Sequence, residues 1–263
     1  MADLYDFPDI YDERFSEAAN AAYREHYRKI FSGCKIIDIL DCSFGTGDLT
    51  FELCELGYQV SGSDLSRSML TKAAQKGFTV DLTCCDFREL SKHFDRDFSC
   101  VMSTGNALAH VDHAGVVQTL REMDRLIRPG GYLYLDSRNW DAAMKRQDRF
   151  FFSSPFIRPD GVRIHYVQLW DYHSDGTITI NILHAHESEG KIIRQTIFEE
   201  HLTPFSVELV QDTLGELGYQ EQIIKPLPYF QEQRFEDIGW YCLRAKKLLI
   251  RGFDLFQQKP GYP

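Results

Sequence analysis

Between Lys35 and Arg138 five short aliphatic runs alternate with amphipathic stretches, and no other feature of the sequence restricts the fold as strongly. The runs are "KIIDILDCS", "YQVSGSD", "FTVDLTCCD", "FSCVMST" and "YLYLDSR". Between them lie Leu49, Leu53 and Leu56 on one helical face, the Ser-capped "SRSMLTKAAQKG", and a helix from about His113 to Arg128. That last helix carries Val116, Leu120, Met123 and Ile127 on one face and stops at "RPGG". A strand returns parallel to its neighbour only through a crossover, so this alternation predicts a parallel sheet in an α/β domain. A leading helix from Ser16 to Phe31 is expected from Tyr23, Tyr27 and Phe31 at i, i+4 and i+8, ending at Gly33.

Beyond Trp140 the texture changes. "GVRIHYVQLWDYH", "TITINILHAHES" and "KIIRQTIFEEHL" are separated by "SDG" and "EG" rather than by helices, which predicts an antiparallel insertion. The helical "SVELVQDTLGELG" and the strand-like "YQEQIIK" and "WYCLRAK" close the chain. The expected organisation is a helical cap at 1–33, a ligand-binding α/β domain over 34–144 and 202–248, a β insertion over 145–201, and a tail at 249–263 whose aromatic residues dock on the body or a partner.

The first strand runs into "DCSFGTGDLT", residues 41–50, with Gly45 and Gly47 one residue apart. A dinucleotide turn wants a third glycine three positions later, where Thr50 stands, and a P-loop wants Gly-Lys-Ser/Thr, where Gly-Asp-Leu stands. Asp41 and Asp48 bracket the glycines and disfavour an anion, which points to a ligand with a positive sulfonium and ammonium, S-adenosylmethionine. Asp64 ends the second strand, 19 residues past Gly45, where an acid can accept both hydrogens of a ribose diol. Asp86 ends the third strand and can accept from an adenine amine, with Phe87 and Leu65 walling the base. Each aspartate taken alone can equally be a helix cap.

The balance of 29 Lys+Arg against 39 Asp+Glu, a formal charge of -10, disfavours nucleic acid. No apolar run is long enough for a membrane helix, and the N-terminal "MADLYDFPDIYDERF" is acidic and unlike a signal peptide. The seven cysteines form no CxxC pair and read as reduced thiols of a soluble cytoplasmic protein, monomer or homodimer.

On "ILDCSFGTG", "GSDLSRSML", "CDFREL" and "LIRPGGYLYLD" the chain resembles the class I S-adenosylmethionine-dependent methyltransferases. The resemblance implies a Rossmann-like seven-stranded sheet of order 3-2-1-4-5-7-6 with strand 7 antiparallel. It implies a donor site of Asp41, Ser43, Gly45, Gly47, Asp64, Leu65, Met69, Asp86, Phe87, Thr104, Gly105 and Asn106, with S-adenosylhomocysteine as product. Phe44 departs from the small residue many members carry there. "STGNALAHVDH" and "LDSRNWD" are similar to glycine and sarcosine N-methyltransferases, which puts His110 at the donor site and Asn139 before an acceptor amine, with Trp140 in place of the usual Tyr.

Methyl transfer is an in-line displacement, so positioning and proton removal are what the protein supplies. Arg138 or Arg163 can fork onto a carboxylate, and Tyr23 and Tyr166 complete the expected acceptor side. His110 and His201 are base candidates should the acceptor be a hydroxyl, an O-methyltransferase alternative; a non-catalytic binder of S-adenosylmethionine is the other. No metal site is expected, because His110 and His113 have no Cys or third His in register, and His184 and His186 read as an exposed surface of the insertion.

Overall fold

The computed structural model describes residues 3–13, 16–227 and 234–249. The chain begins with a 3-10 turn, Leu4–Asp6, then α1 (Pro8–Asp12), α2 (Glu17–Ile30), β1 (Asp38–Asp41), α3 (Phe51–Glu55), β2 (Gln59–Asp64), α4 (Arg67–Ala74), β3 (Asp81–Cys84), β4 (Phe98–Ser103), α5 (His113–Arg125) and β5 (Ile127–Arg138). There follow α6 (Trp140–Arg146), β6 (Phe150–Phe152), β7 (Phe156–Ile157), β8 (Arg163–Tyr172), β9 (Ile178–Ser188), β10 (Lys191–Leu202), α7 (Val207–Glu216), β11 (Tyr219–Pro226) and β12 (Trp240–Lys247). The proposed docking of the tail falls on residues 250–263, outside those described.

Seven strands form one sheet in the order β11-β12-β5-β4-β1-β2-β3. β1 through β5 pair in parallel and β12 runs antiparallel to both β5 and β11, as the resemblance implies. A second, antiparallel sheet holds β10-β9-β8-β6, with β7 also on β8. The turns of the parallel sheet are set by side-chain caps: Ser66 on α4, Asp112 on α5 and Ser206 on α7 each accept from a backbone N–H of the first helical turn. No helix among the described residues is long and apolar enough to cross a membrane.

The helix expected through Leu49, Leu53 and Leu56 is only one turn and a half long. Phe51 and Thr50 donate back to Gly47 in tight turns, so regular helix begins after the glycines have turned the chain. Phe44 explains the turn's crowding. Its ring is buried, packs edge-on against Phe51 at 5.3 Å, and fills a slot that two glycines leave open. A Cβ on Gly62 would stand 2.4 Å from that ring, and one on Gly47 would stand 2.3 Å from Phe51. The bulky residue before the glycine turn therefore points into the core beneath it. Gly62→Ala is expected to lower stability by ~1–3 kcal/mol through overpacking. Thermal melting of Gly62→Ala, Phe44→Leu and the double variant checks this: the double variant should lose less than the sum, and strict additivity would disprove the contact.

Candidate active site

A cleft of about 860 Å³ opens at the carboxyl ends of β1, β2, β3 and β4, where an open α/β sheet collects its ligand. Ser43, Gly45, Gly47, Asp64, Leu65, Asp86, Phe87, Thr104, Gly105 and His110 all line it. Asp64 is the best-supported group in its wall. Its Oδ2 accepts from the Gly45 N–H at 2.8 Å and its Oδ1 from the Ser66 N–H at 2.8 Å, so the carboxylate is locked between the glycine turn and the cap of α4. Burial raises its pKa against the pull of those two donors. Gly45 has φ +57, and a Cβ there would meet no atom within 4 Å, so the turn presents bare backbone to open space.

Asp86 is differently placed. It caps the turn that follows β3 by accepting from the Arg88 N–H, and the Arg88 guanidinium also donates to both of its oxygens. Arg88 holds its carboxyl below the usual range. A base amine reaching Asp86 has to share it with Arg88. Leu65, 71% exposed, and Phe87 flank this end of the cleft as apolar walls.

Several expected site residues do other work. Asp41 is fully buried and absent from the cleft; it accepts from the Ser43 N–H and Oγ, from Thr50 Oγ1 and from Thr104 Oγ1, and so ties the glycine turn to the end of β4. Its carboxylate is spent on these donors and makes no part of the cleft surface. Asp48 does line the cleft, but Lys76 pairs with it at 2.7 Å. Met69 is buried in the core under α4. Asn106 adopts the left-handed φ of 68 and accepts from Ser137 Oγ and the Arg138 N–H, which staples the ends of β4 and β5 together. Asn139 caps α6 by accepting from the Ala142 N–H and donates to the Phe235 carbonyl, and it does not line the cleft.

The acceptor-side residues are scattered for similar reasons. His201 is exposed on β10 beside Glu199 and Thr179 and does not line the cleft. Tyr23 packs on Tyr27 along α2, away from the cleft. Arg163 pairs with Glu187 on the rim of the second sheet. Arg138 lies 4.8 Å over each of Trp170 and Trp240 and donates to Gln168, whose amide in turn donates to Tyr166. That group braces the two sheets and none of it lines the cleft. Trp140, in the position of the usual Tyr, is buried 5.7 Å from Trp170. His184 and His186, read as exposed, are buried on the inner face of β9.

What the sequence reading missed is the N-terminal strap. Asp3, Tyr5, Asp6 and Tyr11 line the cleft, because residues 3–12 cross its mouth. Ser66 and Ser68 hydroxyls donate to the Tyr5 carbonyl, Lys72 pairs with Asp9, and Lys76 bridges Asp12 and Asp48. The strap thereby sets the Tyr5 hydroxyl 3.0 Å from His110 Nε2, with the rings edge to face at 5.3 Å. In all, the cleft wall carries six aspartates (Asp3, Asp6, Asp48, Asp64, Asp86, Asp112) and two arginines (Arg67, Arg88). The preference for a cationic ligand survives, but it comes from this wall rather than from Asp41.

Beneath the cleft Asp136 is wholly buried and accepts from the Gly105 N–H at 2.7 Å. Lost hydration, the largest cause, pushes its pKa up to about 7 and that of Asp41 up to about 6. Both carboxyls thus bind a proton more readily folded than unfolded. These two groups take up protons on folding between the unfolded value of 3.8 and about 7, so their contribution to stability falls as pH rises through that window, against the opposite contribution of His26, whose pKa burial lowers to about 4. The slope is at most about 1.4 kcal/mol per pH unit for each titrating carboxyl. Asp136→Asn should flatten the upper part of it. Urea unfolding across this range checks the sign, and an unchanged slope in the variant would refute the assignment.

An α/β sheet with helices on both faces, an acidic cleft at its carboxyl edge, a locked acid at the end of β2 and bare glycine backbone at the first turn suits a ligand that carries a ribose. Residues 39–131 match the methyltransferase domain family. In this domain, in its relatives and in its fold the chain resembles the class I S-adenosylmethionine-dependent methyltransferases. A glycine/sarcosine N-methyltransferase from Aphanothece halophytica is 25% identical over 219 residues, 80% of this chain and 76% of that one. In fold the chain is similar to an S-adenosylmethionine-dependent methyltransferase from Clostridium acetobutylicum, with TM-score 0.74 at 16% identity, covering 92% of this chain and 98% of that one. It is also similar to an amino pentose methyltransferase from Micromonospora echinaspora involved in calicheamicin biosynthesis, with TM-score 0.72 at 18% identity, covering 94% and 98%.

Proposed function

We propose that the protein N-methylates a small amine that carries no carboxylate of its own. The carrying observation is the hydrogen-bonded Tyr5–His110 pair in a cleft wall of six aspartates. Such a wall concentrates a protonated amine, and the amine must then lose its proton before its lone pair can attack. With His110 in the tautomer protonated at Nδ1, Nε2 accepts the Tyr5 O–H. The Tyr5 oxygen is then free to accept the proton of the amine while its own proton passes to Nε2.

S-adenosylmethionine supplies, when bound, a methyl group on a sulfonium leaving group. The chain's part is to hold and align: Asp64 offers its outer lone pairs to the ribose diol, the Gly45–Gly47 turn gives backbone room for the methionine portion, and Leu65 and Phe87 flank the base. For an amino-acid acceptor such as glycine a cationic anchor for the carboxylate is required; Arg138 and Arg163 lie outside the cleft and Arg88 is bound to Asp86, which leaves Arg67 of the wall's two arginines to face six aspartates. That favours an amine of the amino-sugar kind over glycine or sarcosine. The relative named a glycine/sarcosine N-methyltransferase supports nitrogen as the target, and the structure named an amino pentose methyltransferase supports an acceptor that carries an amine. Incubation with labelled donor and a panel of amino sugars, simple amines, glycine, sarcosine and phenols, read by mass, tests this. Methylation confined to phenols, or to glycine and sarcosine, would defeat the reading.

A further inference from the structure

Away from the cleft, His184 and His186 stand two residues apart on one face of β9, and Glu13, which closes α1, reaches across to both. We propose that Glu13, His184 and His186 form a binding site for one divalent transition-metal ion of the zinc class. The Glu13 Oε2 lies 3.2 Å from His184 Nε2 and 2.9 Å from His186 Nε2, and the three ligand atoms all fall within 4.8 Å of one another. Ligand atoms on tetrahedral zinc, at bond lengths of about 2.0–2.1 Å, stand about 3.3 Å apart. Shifts on the order of 1 Å or less therefore bring all three into bonding distance.

The support around these groups suits an ion as well. β9 is paired on both sides, by β8 and β10, so the two imidazoles sit on the stiffest strand of their sheet and need little ordering to converge. Both are buried, and their rings meet edge to face at 5.0 Å. Arg158 Nη1, at 3.5 Å from Glu13 Oε1, engages the other carboxylate oxygen and leaves Oε2 directed at the histidines. Two imidazole nitrogens and one carboxylate oxygen select zinc-like ions over magnesium or calcium, which prefer all-oxygen shells. A three-ligand set leaves the fourth position to water.

The consequence is mechanical. Glu13 follows the strap that carries Tyr5, whereas the histidines belong to the second sheet, so a bound ion would clamp the strap to that sheet. The proposal stands apart from the choice of methyl acceptor.

Full-length protein stripped with chelator and titrated with Co2+ tests it, with ligand-field absorption and stoichiometry as readouts and Zn2+ used to displace the probe. One equivalent is expected to saturate, and Zn2+ should raise the thermal midpoint of the wild type. His184→Gln, His186→Gln and Glu13→Gln should each weaken Co2+ binding tenfold or more, while His201→Gln, on the exposed face, should not. The proposal is overturned if no single-equivalent saturation is seen. It is equally overturned if His184→Gln/His186→Gln binds as wild type. Should that double variant fail to melt cooperatively, Glu13→Gln alone decides, because Glu13 lies at the end of a short helix and its amide keeps the shape.

Discussion

Asp64→Asn weakens binding of S-adenosylmethionine and S-adenosylhomocysteine on the order of 100-fold, measured by calorimetry, while the protein still melts cooperatively. The wild-type carboxylate meets two backbone N–H groups, from Gly45 and Ser66, and turns its remaining lone pairs to the cleft. A hydrogen bond to a charged group contributes about 1.5–3 kcal/mol, and the ribose diol can make two of them there. The amide removes the charge and also sets an NH2 against one of the two backbone donors. That donor is left without an acceptor, so the glycine turn or the cap of α4 shifts as well. Asp64→Ala would lose both anchors and mix binding with stability, which is why Asn is the cleaner variant. Asp86→Asn provides the contrast. Because Arg88 already occupies that carboxylate, its loss should weaken binding by less than tenfold. Binding of the Asp64 variant within threefold of wild type would remove Asp64 from the donor site.

The parallel sheet was legible because its signals are local. Caps such as Ser66 and Ser206 and the period of α5 each fix an element without help from the rest of the chain. The cleft lining at the ends of β1, β2 and β3 followed once strand ends were known. Asn139 and Asp41 were misplaced for one physical reason: capping a helix, clamping a turn and holding a ligand all need the same oxygen acceptors, and sequence does not say which way they point. His184 and His186 were misread because alternation identifies the two faces of a strand but not which one meets another element. The strap escaped notice because "DLYDFPDIYDE" has neither helical nor strand period; its order comes from tertiary partners, Ser66, Lys72 and Lys76. Its aspartates and tyrosines are the visible signal. An acidic, aromatic N-terminal stretch preceding a donor-binding fold is a candidate cover for the site.

The largest effect is expected at the Tyr5–His110 pair. His110→Gln should lower kcat on the order of 10²–10⁴-fold, the range for losing a positioned general base, with the affinity for S-adenosylhomocysteine changed little. Tyr5→Phe should fall in the same range, since either loss breaks the same proton path. The double variant should then be scarcely worse than either single one, because residues that act as a unit are not additive. A purely structural role for the pair predicts otherwise. Tyr5 is held through its backbone carbonyl by Ser66 and Ser68, so deleting the hydroxyl leaves the strap anchored and should cost little activity if packing is all that matters. The pH profile separates the two cases. If a neutral His110 receives the proton, the wild-type kcat profile has an acid limb, and that limb disappears from the residual activity of His110→Gln. An active Tyr5→Phe, or an acid limb that persists in His110→Gln, would leave desolvation and alignment alone to carry the transfer, and would take the base assignment away from this pair.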